Sequence, residues 1–146
     1  AETAKYKHFY LPPFPQYSKR VELYGDKSYI CVVRNSGGEI QSGKFCLGYK
    51  DMVLFVTGGA TGASRKNKSG YLLMWEAIKF FKSEGYKYFD LEGARDKRFK
   101  SFTNNWEGFT DFKQKFGGVV IEFPVPRIKY LSKIYSSLAK IARINF

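Results

Sequence analysis

Between Gly58 and Gly70 the hydrophobic period of the chain changes, and that change constrains the fold more than any other feature. Before the segment, Met52-Val53-Leu54-Phe55-Val56-Thr57 is an apolar, β-branched run of strand length. After it, Tyr71, Met74, Trp75, Ile78 and Phe81 fall on one helical stripe, with Glu76, Lys79 and Lys82 off it. Gly85 is placed to end that helix in the left-handed C′ conformation, and Tyr86 to Leu91 then reads as a short strand. Strand, glycine-bearing loop, helix and strand in this order predict a βαβ crossover whose end strands run parallel.

Upstream, Tyr29-Ile30-Cys31-Val32-Val33-Arg34 is a strand, and Asn35-Ser36-Gly37-Gly38 supplies residues that tolerate positive φ. A second strand over Glu39 to Leu47 and a turn at Gly48 to Asp51 complete an antiparallel meander with the Met52 strand. The expected fold class is therefore α/β (α+β), a mixed sheet in which a meander precedes the crossover. Residues 1–28 carry Pro12, Pro13 and Pro15 among aromatics and read as an extended lead-in or the remnant of a preceding domain. Residues 29–125 form the domain proper. Within them Glu92 to Gly108 is a long polar, basic connection, of the length that usually carries function. Phe109, Phe112 and Phe116 then share a helical face, closed by Gly117-Gly118, and Val119 to Phe123 is read as a last strand. From Pro126 to Phe146 the spacing predicts a C-terminal amphipathic helix, with Ile128, Leu131, Ile134, Leu138 and Ile141 on one face. Arg127, Lys129, Lys133, Lys140 and Arg143 lie in it without an acidic residue.

Composition excludes several chemistries. One histidine, His8, and two cysteines, Cys31 and Cys46, are too few for a Cys/His metal site, and no metal is expected. A Ser/His/Asp or Cys/His engine is equally ill-supplied. No 18 apolar residues run together, so no spanning helix is expected, and Ala1 to Lys7 lack the apolar centre of a secretory signal. Both cysteines fall in strands and read as reduced, buried thiols of a cytoplasmic protein. What remains is charge: 25 Lys and Arg against 13 Asp and Glu, a net +12 over 146 residues. Such an excess points to an anionic partner, whether nucleic acid, phosphorylated substrate or membrane surface.

From the third strand to Gly117 the chain resembles the C-terminal GNAT-like domain of the Fem family, which adds amino acids from aminoacyl-tRNA to peptidoglycan precursors. The resemblance rests on the glycine loop, Leu72-Leu73-Met74-Trp75-Glu76-Ala77-Ile78, Gly85-Tyr86-Lys87-Tyr88-Phe89-Asp90-Leu91-Glu92-Gly93 and Phe112-Lys113-Gln114-Lys115-Phe116-Gly117, in the family's order and spacing. It implies an aminoacyltransferase with aminoacyl-tRNA as donor, a peptidoglycan precursor as acceptor and no further cofactor. Members are usually about twice this long, with two GNAT-like domains. Arg65-Lys66-Asn67-Lys68-Ser69-Gly70 does not fit the Q/R-x-x-G-x-G/A pattern of coenzyme-A-binding relatives. The alternative is an acyl-CoA-dependent N-acyltransferase of envelope or polysaccharide synthesis, or a basic RNA- or membrane-binding domain without catalysis.

Acyl transfer from an activated ester needs positioning and charge stabilisation more than covalent help. Lys113 is the candidate to stabilise the developing oxyanion or hold a phosphate, with Phe112 as a wall or stacking surface. The competing reading makes the phenylalanines an apolar helix stripe with a solvated lysine beside them. Asp90, at a strand end, is the candidate proton acceptor for the attacking amine, or else a cap on the backbone N–H groups of residues 92–94. Arg65, Lys66 and Lys68 are candidate phosphate ligands or a solvated loop. Arg95, Arg98 and Trp106, where charge and aromatics interleave, suit a tRNA acceptor end or form a basic loop without a ligand. Residues 127–143 either pack on the sheet or rest on anionic lipid at the inner face of the cell membrane.

Overall fold

The computed structural model describes residues 11–99 and 103–125, together with 129, 131–134 and 137. The chain divides into two compact units, residues 1–93 and 94–146. In the first, helix α1 (Phe14–Tyr24) precedes strands β1 (Ser28–Arg34), β2 (Ile40–Tyr49) and β3 (Met52–Ala60). Helices α2 (Gly62–Asn67) and α3 (Ser69–Ser83) then lead to strand β4 (Tyr88–Asp90). The four strands form one sheet in the order β1-β2-β3-β4. The first three pair antiparallel and β4 pairs parallel to β3, so the meander and crossover expected from the sequence are present.

The hairpin turns follow their residues. Gly38 takes φ +84, and the β1–β2 turn is closed by the Asn35 N–H donating to the Glu39 carbonyl at 3.0 Å and the Gly38 N–H donating to the Asn35 carbonyl at 2.9 Å. Gly85 ends α3 at φ +86, as its position predicts. Two expectations are corrected. Residues 1–28 are not extended throughout, because Phe14–Tyr24 is helical. Pro13 and Pro15 sit at the N-cap and in the first turn, where a missing N–H breaks no helical bond, so these prolines start a helix instead of preventing one. The buried stripe of α3 is also rotated from the expected one. Leu73, Met74, Ala77 and Phe81 face the sheet, while Trp75 is half exposed at 51%. The small Ala77 lets the helix approach Cys46 and Val53, and a Trp at that face would hold it off.

Phe81 centres the packing. Its ring meets Tyr29, Tyr86 and Phe89 edge-on at 5.0, 5.9 and 5.3 Å. The Tyr29 and Tyr86 hydroxyls bond each other at 3.0 Å, beside Gly48, where an added Cβ would strike the Tyr86 hydroxyl. On the opposite face of the sheet, Tyr17 of α1 meets Phe45 edge-on at 6.0 Å. Cys31 and Cys46 are free thiols, half-buried and buried respectively.

The second unit contains single 3₁₀ turns at Lys97–Phe99 and Asn104–Trp106, then helix α4 (Glu107–Gln114). Gly117 at φ +74 ends this segment as expected. Val119 to Phe123 is not a strand: a strand exists through its ladder, and among the described residues nothing pairs with this segment along its length. The lead-in over residues 1–10 and most of the helix expected from Pro126 lie outside the described residues. Among those described, no helix is long and apolar enough to cross a membrane.

Gly48→Ala is expected to destabilise the chain by about 1–3 kcal/mol through overpacking against Tyr86, measured by urea unfolding. In a Tyr86→Phe background, which removes the clashing hydroxyl, part of that loss should return. Hydrogen bonding to Tyr86 and burial push Tyr29 up to about 12 from 10.0, and burial pushes the Cys46 thiol up to about 12 from 9.0. Both groups stay protonated longer in the folded state, so their stabilisation is complete below pH 9 and is lost as pH rises toward 12. Thermal melts from pH 8 to 12 should fall along that window, and Cys46→Ala should flatten the early part of the fall.

Candidate functional site

The site in the first unit begins where β3 and β4 part. β4 accompanies β3 for three pairs only, Met52/Tyr88, Val53/Phe89 and Leu54/Asp90. β3 runs on to Ala60 against β2, with a bulge at Val56, since Cys46 pairs with Phe55 and Phe45 with Thr57. From Phe55 onward the other edge of β3 has no strand partner among the described residues. The Thr61 N–H donates to the Gln41 carbonyl at 2.9 Å, so strand alternation turns the backbone groups of Gly58 and Ala60 away from β2.

Asp90 ends β4 at this fork. Its Oδ1 accepts the Glu92 N–H at 2.7 Å, and Glu92 takes φ +61, a left-handed conformation that a non-glycine residue adopts only when held. The backbone-capping role weighed for Asp90 is therefore real, and its carboxylate remains exposed. Asp90→Ala should free the Glu92 amide, speed its hydrogen exchange and cost about 1 kcal/mol, while Asp90→Asn retains an acceptor and should cost less.

After β3 the chain is organised by side-chain caps. Thr61 Oγ1 accepts the Ser64 N–H at 3.1 Å and starts α2; Asn67 Oδ1 accepts the Ser69 N–H at 3.0 Å and starts α3. Lys68, at φ +60, is the joint between the two helices. Arg65, Lys66 and Lys68 are all exposed, and Arg65 Nη1 reaches back to the Ala60 carbonyl at 3.1 Å. The sequence reads these three cations as part of a loop, but Arg65 and Lys66 lie in helix α2 and only Lys68 is in the joint, and the sequence pattern does not announce what lies beneath them. Gln41, Ser42, Lys44, Ser64 and Ser69 are buried polar residues at this end of the unit. The Lys44 ammonium lies over the Phe55 ring, 4.5 Å from its centroid. Its signal in the sequence is a charged residue inside an otherwise buried strand.

The second unit gathers the remaining candidates around α4. Arg95 Nη1 pairs with Glu107 Oε1 at 2.6 Å, and the Arg95 N–H donates to Thr110 Oγ1 at 2.7 Å. Thr110 in turn bonds the Trp106 carbonyl at 2.9 Å. Phe112 and Phe116 meet edge-on at 5.3 Å, and Phe112 and Lys113 are half-buried on the last turn. Arg98 is engaged by the protein itself, by Asp96 at 2.7 Å, Glu122 at 3.3 Å and the Phe123 carbonyl at 3.1 Å. Hydrogen bonds from Arg98 hold the Asp96 carboxyl below its usual range. Thus Arg65, Lys66, Lys68 and Asp90 belong to the first unit, and Arg95, Arg98, Trp106, Phe112 and Lys113 to the second. Among the described residues no group of His, Cys, Asp and Glu is suited to a metal ion.

The bulged β3, the helices after it and the short parallel β4 form one end of a mixed α/β sheet. The chain belongs to the acetyltransferase (GNAT) domain family, whose profile matches residues 23–101, more than half of its length. Among solved structures it is similar to glucosamine-6-phosphate N-acetyltransferase from Arabidopsis thaliana, at 17% identity and TM-score 0.49 over 82% of this chain and 77% of that one. An acetyltransferase from Bacillus cereus is similar at 19% identity and TM-score 0.38, over 55% of this chain and 67% of that one. No curated protein matches the sequence.

Proposed function

We propose that this GNAT-type acyltransferase domain transfers an amino acid from aminoacyl-tRNA to an amine of a peptidoglycan precursor. The observation that carries the choice of donor is the junction after β3. An acyl-CoA diphosphate is commonly held by free backbone N–H groups at a helix start. Here Thr61 Oγ1 takes the Ser64 N–H, Asn67 Oδ1 takes the Ser69 N–H, and the Lys68 carbonyl takes the Tyr71 N–H at 2.9 Å. An aminoacyl ester needs no such cradle, because its phosphates can be met by the side chains of Arg65, Lys66 and Lys68. The Fem-like order of motifs supports the same donor.

In this reading the acceptor amine attacks the ester carbonyl carbon. A C–N bond forms, the C–O bond to the ribose hydroxyl breaks, and one proton passes from the ammonium toward the leaving oxygen. The oxyanion is assigned to Lys113, with Phe112 beside it in the second unit, as the Fem-like motif implies, and the amine proton to Asp90 of the first unit; neither assignment rests on how the two units are placed. In the second unit Trp106 is left as the candidate for the tRNA acceptor end, since Arg95 and Arg98 are committed to Glu107, Asp96 and Glu122. The basic segment 127–143 rests on anionic lipid at the inner face of the membrane, where a lipid-linked acceptor lies. The acyl-CoA reading keeps one argument in its favour, the acetyltransferase description of the family itself.

Both donors belong in one assay. Purified protein is expected to move labelled amino acid from charged tRNA to precursor and to give no product from acetyl-CoA. Lys113→Ala should lower the rate by about 10²-fold, as for the loss of an oxyanion-stabilising group. Product from acetyl-CoA alone overturns the choice of donor, and a fully active Lys113→Ala removes the role given to that lysine.

A further inference from the structure

The face that α3 buries is rotated from the one its sequence predicts, and the rotation gives the helix a solvent ridge of particular composition. Leu73, Met74, Ala77 and Phe81 turn inward, so Leu72, Trp75, Lys79 and Lys82 follow one another along the opposite side, three and four residues apart. Leu72 and Trp75 are 53% and 51% exposed, and both lysines are exposed. Counted from Lys68 to Lys82, the ridge is about 20 Å long at the rise of an α-helix. Between Arg65 and Lys82 the chain carries five cations and one acidic residue, Glu76. Glu76 Oε1 accepts from Lys79 Nζ at 2.7 Å, in a pair whose side chains are both 53% exposed. A pair so open to water is weak, and the ammonium keeps further donors for another acceptor.

We propose that this ridge of α3 docks the double-helical arm of an RNA, with Lys79 and Lys82 on backbone phosphates and Trp75 against the ribose edge beside them. Charge complementarity selects the partner, since phosphate contacts from Lys and Arg supply affinity and position a nucleic acid. Helical RNA is recognised through phosphates and 2′-hydroxyls, and the indole N–H of Trp75 is a donor suited to a 2′-hydroxyl. An anionic lipid surface fits less well. An interfacial helix sinks a broad apolar face into the membrane, and the apolar face of α3 is already packed on the sheet. The contacts lie along α3, beyond Arg65, Lys66 and Lys68, which extend the same positive field. The surface rests on the aminoacyl-tRNA reading for its natural ligand, the helical arm of the donor, but RNA binding is measurable without any transfer.

Binding of the full chain to a fluorescent RNA hairpin, followed by anisotropy at several salt concentrations, tests the surface. The double variant Lys79→Gln/Lys82→Gln should bind about tenfold more weakly. Its slope of log affinity against log salt should fall by about 1.5, the loss of two phosphate contacts. Trp75→Ala should weaken binding several-fold and leave the slope unchanged, as for a neutral hydrogen bond. A DNA hairpin of the same sequence lacks the 2′-hydroxyl and should lose nothing in Trp75→Ala. All three side chains are exposed, so the variants are expected to fold like the parent. Lys19→Gln/Lys27→Gln removes two exposed charges from α1 and the turn after it, and should change neither affinity nor slope. RNA binding with these losses but without aminoacyl transfer upholds the surface and removes only the choice of donor. Affinity and slope unchanged in Lys79→Gln/Lys82→Gln overturn the surface, whether or not transfer is seen. Loss in that variant of binding to phosphatidylglycerol vesicles, with RNA affinity intact, overturns RNA as the partner. Equal losses on RNA and DNA in Trp75→Ala overturn the ribose contact.

Discussion

The first unit depends on how briefly β3 and β4 stay together. β4 is anchored at its start, where the N–H groups of Lys87 and Tyr88 both donate to the Asp51 carbonyl at 2.8 and 3.1 Å. It stops at Asp90 because that carboxylate captures the Glu92 amide and turns the chain into a left-handed residue. Three paired residues are enough to hold the crossover in place because Phe81, Tyr86 and Phe89 pack beneath it. They are also few enough that, among the described residues, the second half of β3 is paired on the β2 side only. The bulge at Val56 falls just past the fork and changes the register of everything that follows, including the Ser42/Ala60 and Lys44/Gly58 pairs.

The net charge of +12 acquires structure once its partners are known. Arg95 and Arg98 are paired with Glu107, Asp96 and Glu122, and they brace the second unit from within. These surface pairs contribute modestly to stability, but they set the conformation of the loop before α4. Arg65, Lys66 and Lys68 present their charge on the surface of the first unit, directly after β3. Lys44 is the exception to both patterns, a cation within the sheet that is held over an aromatic ring.

Local pattern carried much of the fold. The glycine turn between β1 and β2, the period change after β3 and Gly85 are short-range signals, and each produced the element it implies. So did the capping geometry at Asp90, an Asx residue two positions before a left-handed turn. The failures came where local rules admit two answers. Prolines at a helix start and prolines in an extended segment look alike until the next turn of chain is seen. In α3, Trp75 and Ala77 differ in which one faces the sheet, and that depends on how closely Cys46 and Val53 allow the helix to approach. Val119 to Phe123 has the composition of a strand, yet a strand requires a neighbour that composition does not supply.

By itself, the sequence determined the order of strands β1 to β4, the parallel sense of the crossover and the clustering of cations directly after β3. These follow from periodicity, turn chemistry and charge, all properties of neighbouring residues. Only the tertiary structure decided that Ser42 and Lys44 lie opposite Ala60 and Gly58, that Arg98 is bound by carboxylates, and that β3 outruns β4. Each of those depends on register or on a contact between distant residues. A single strand does not encode which residue will stand across from it until the sheet assembles.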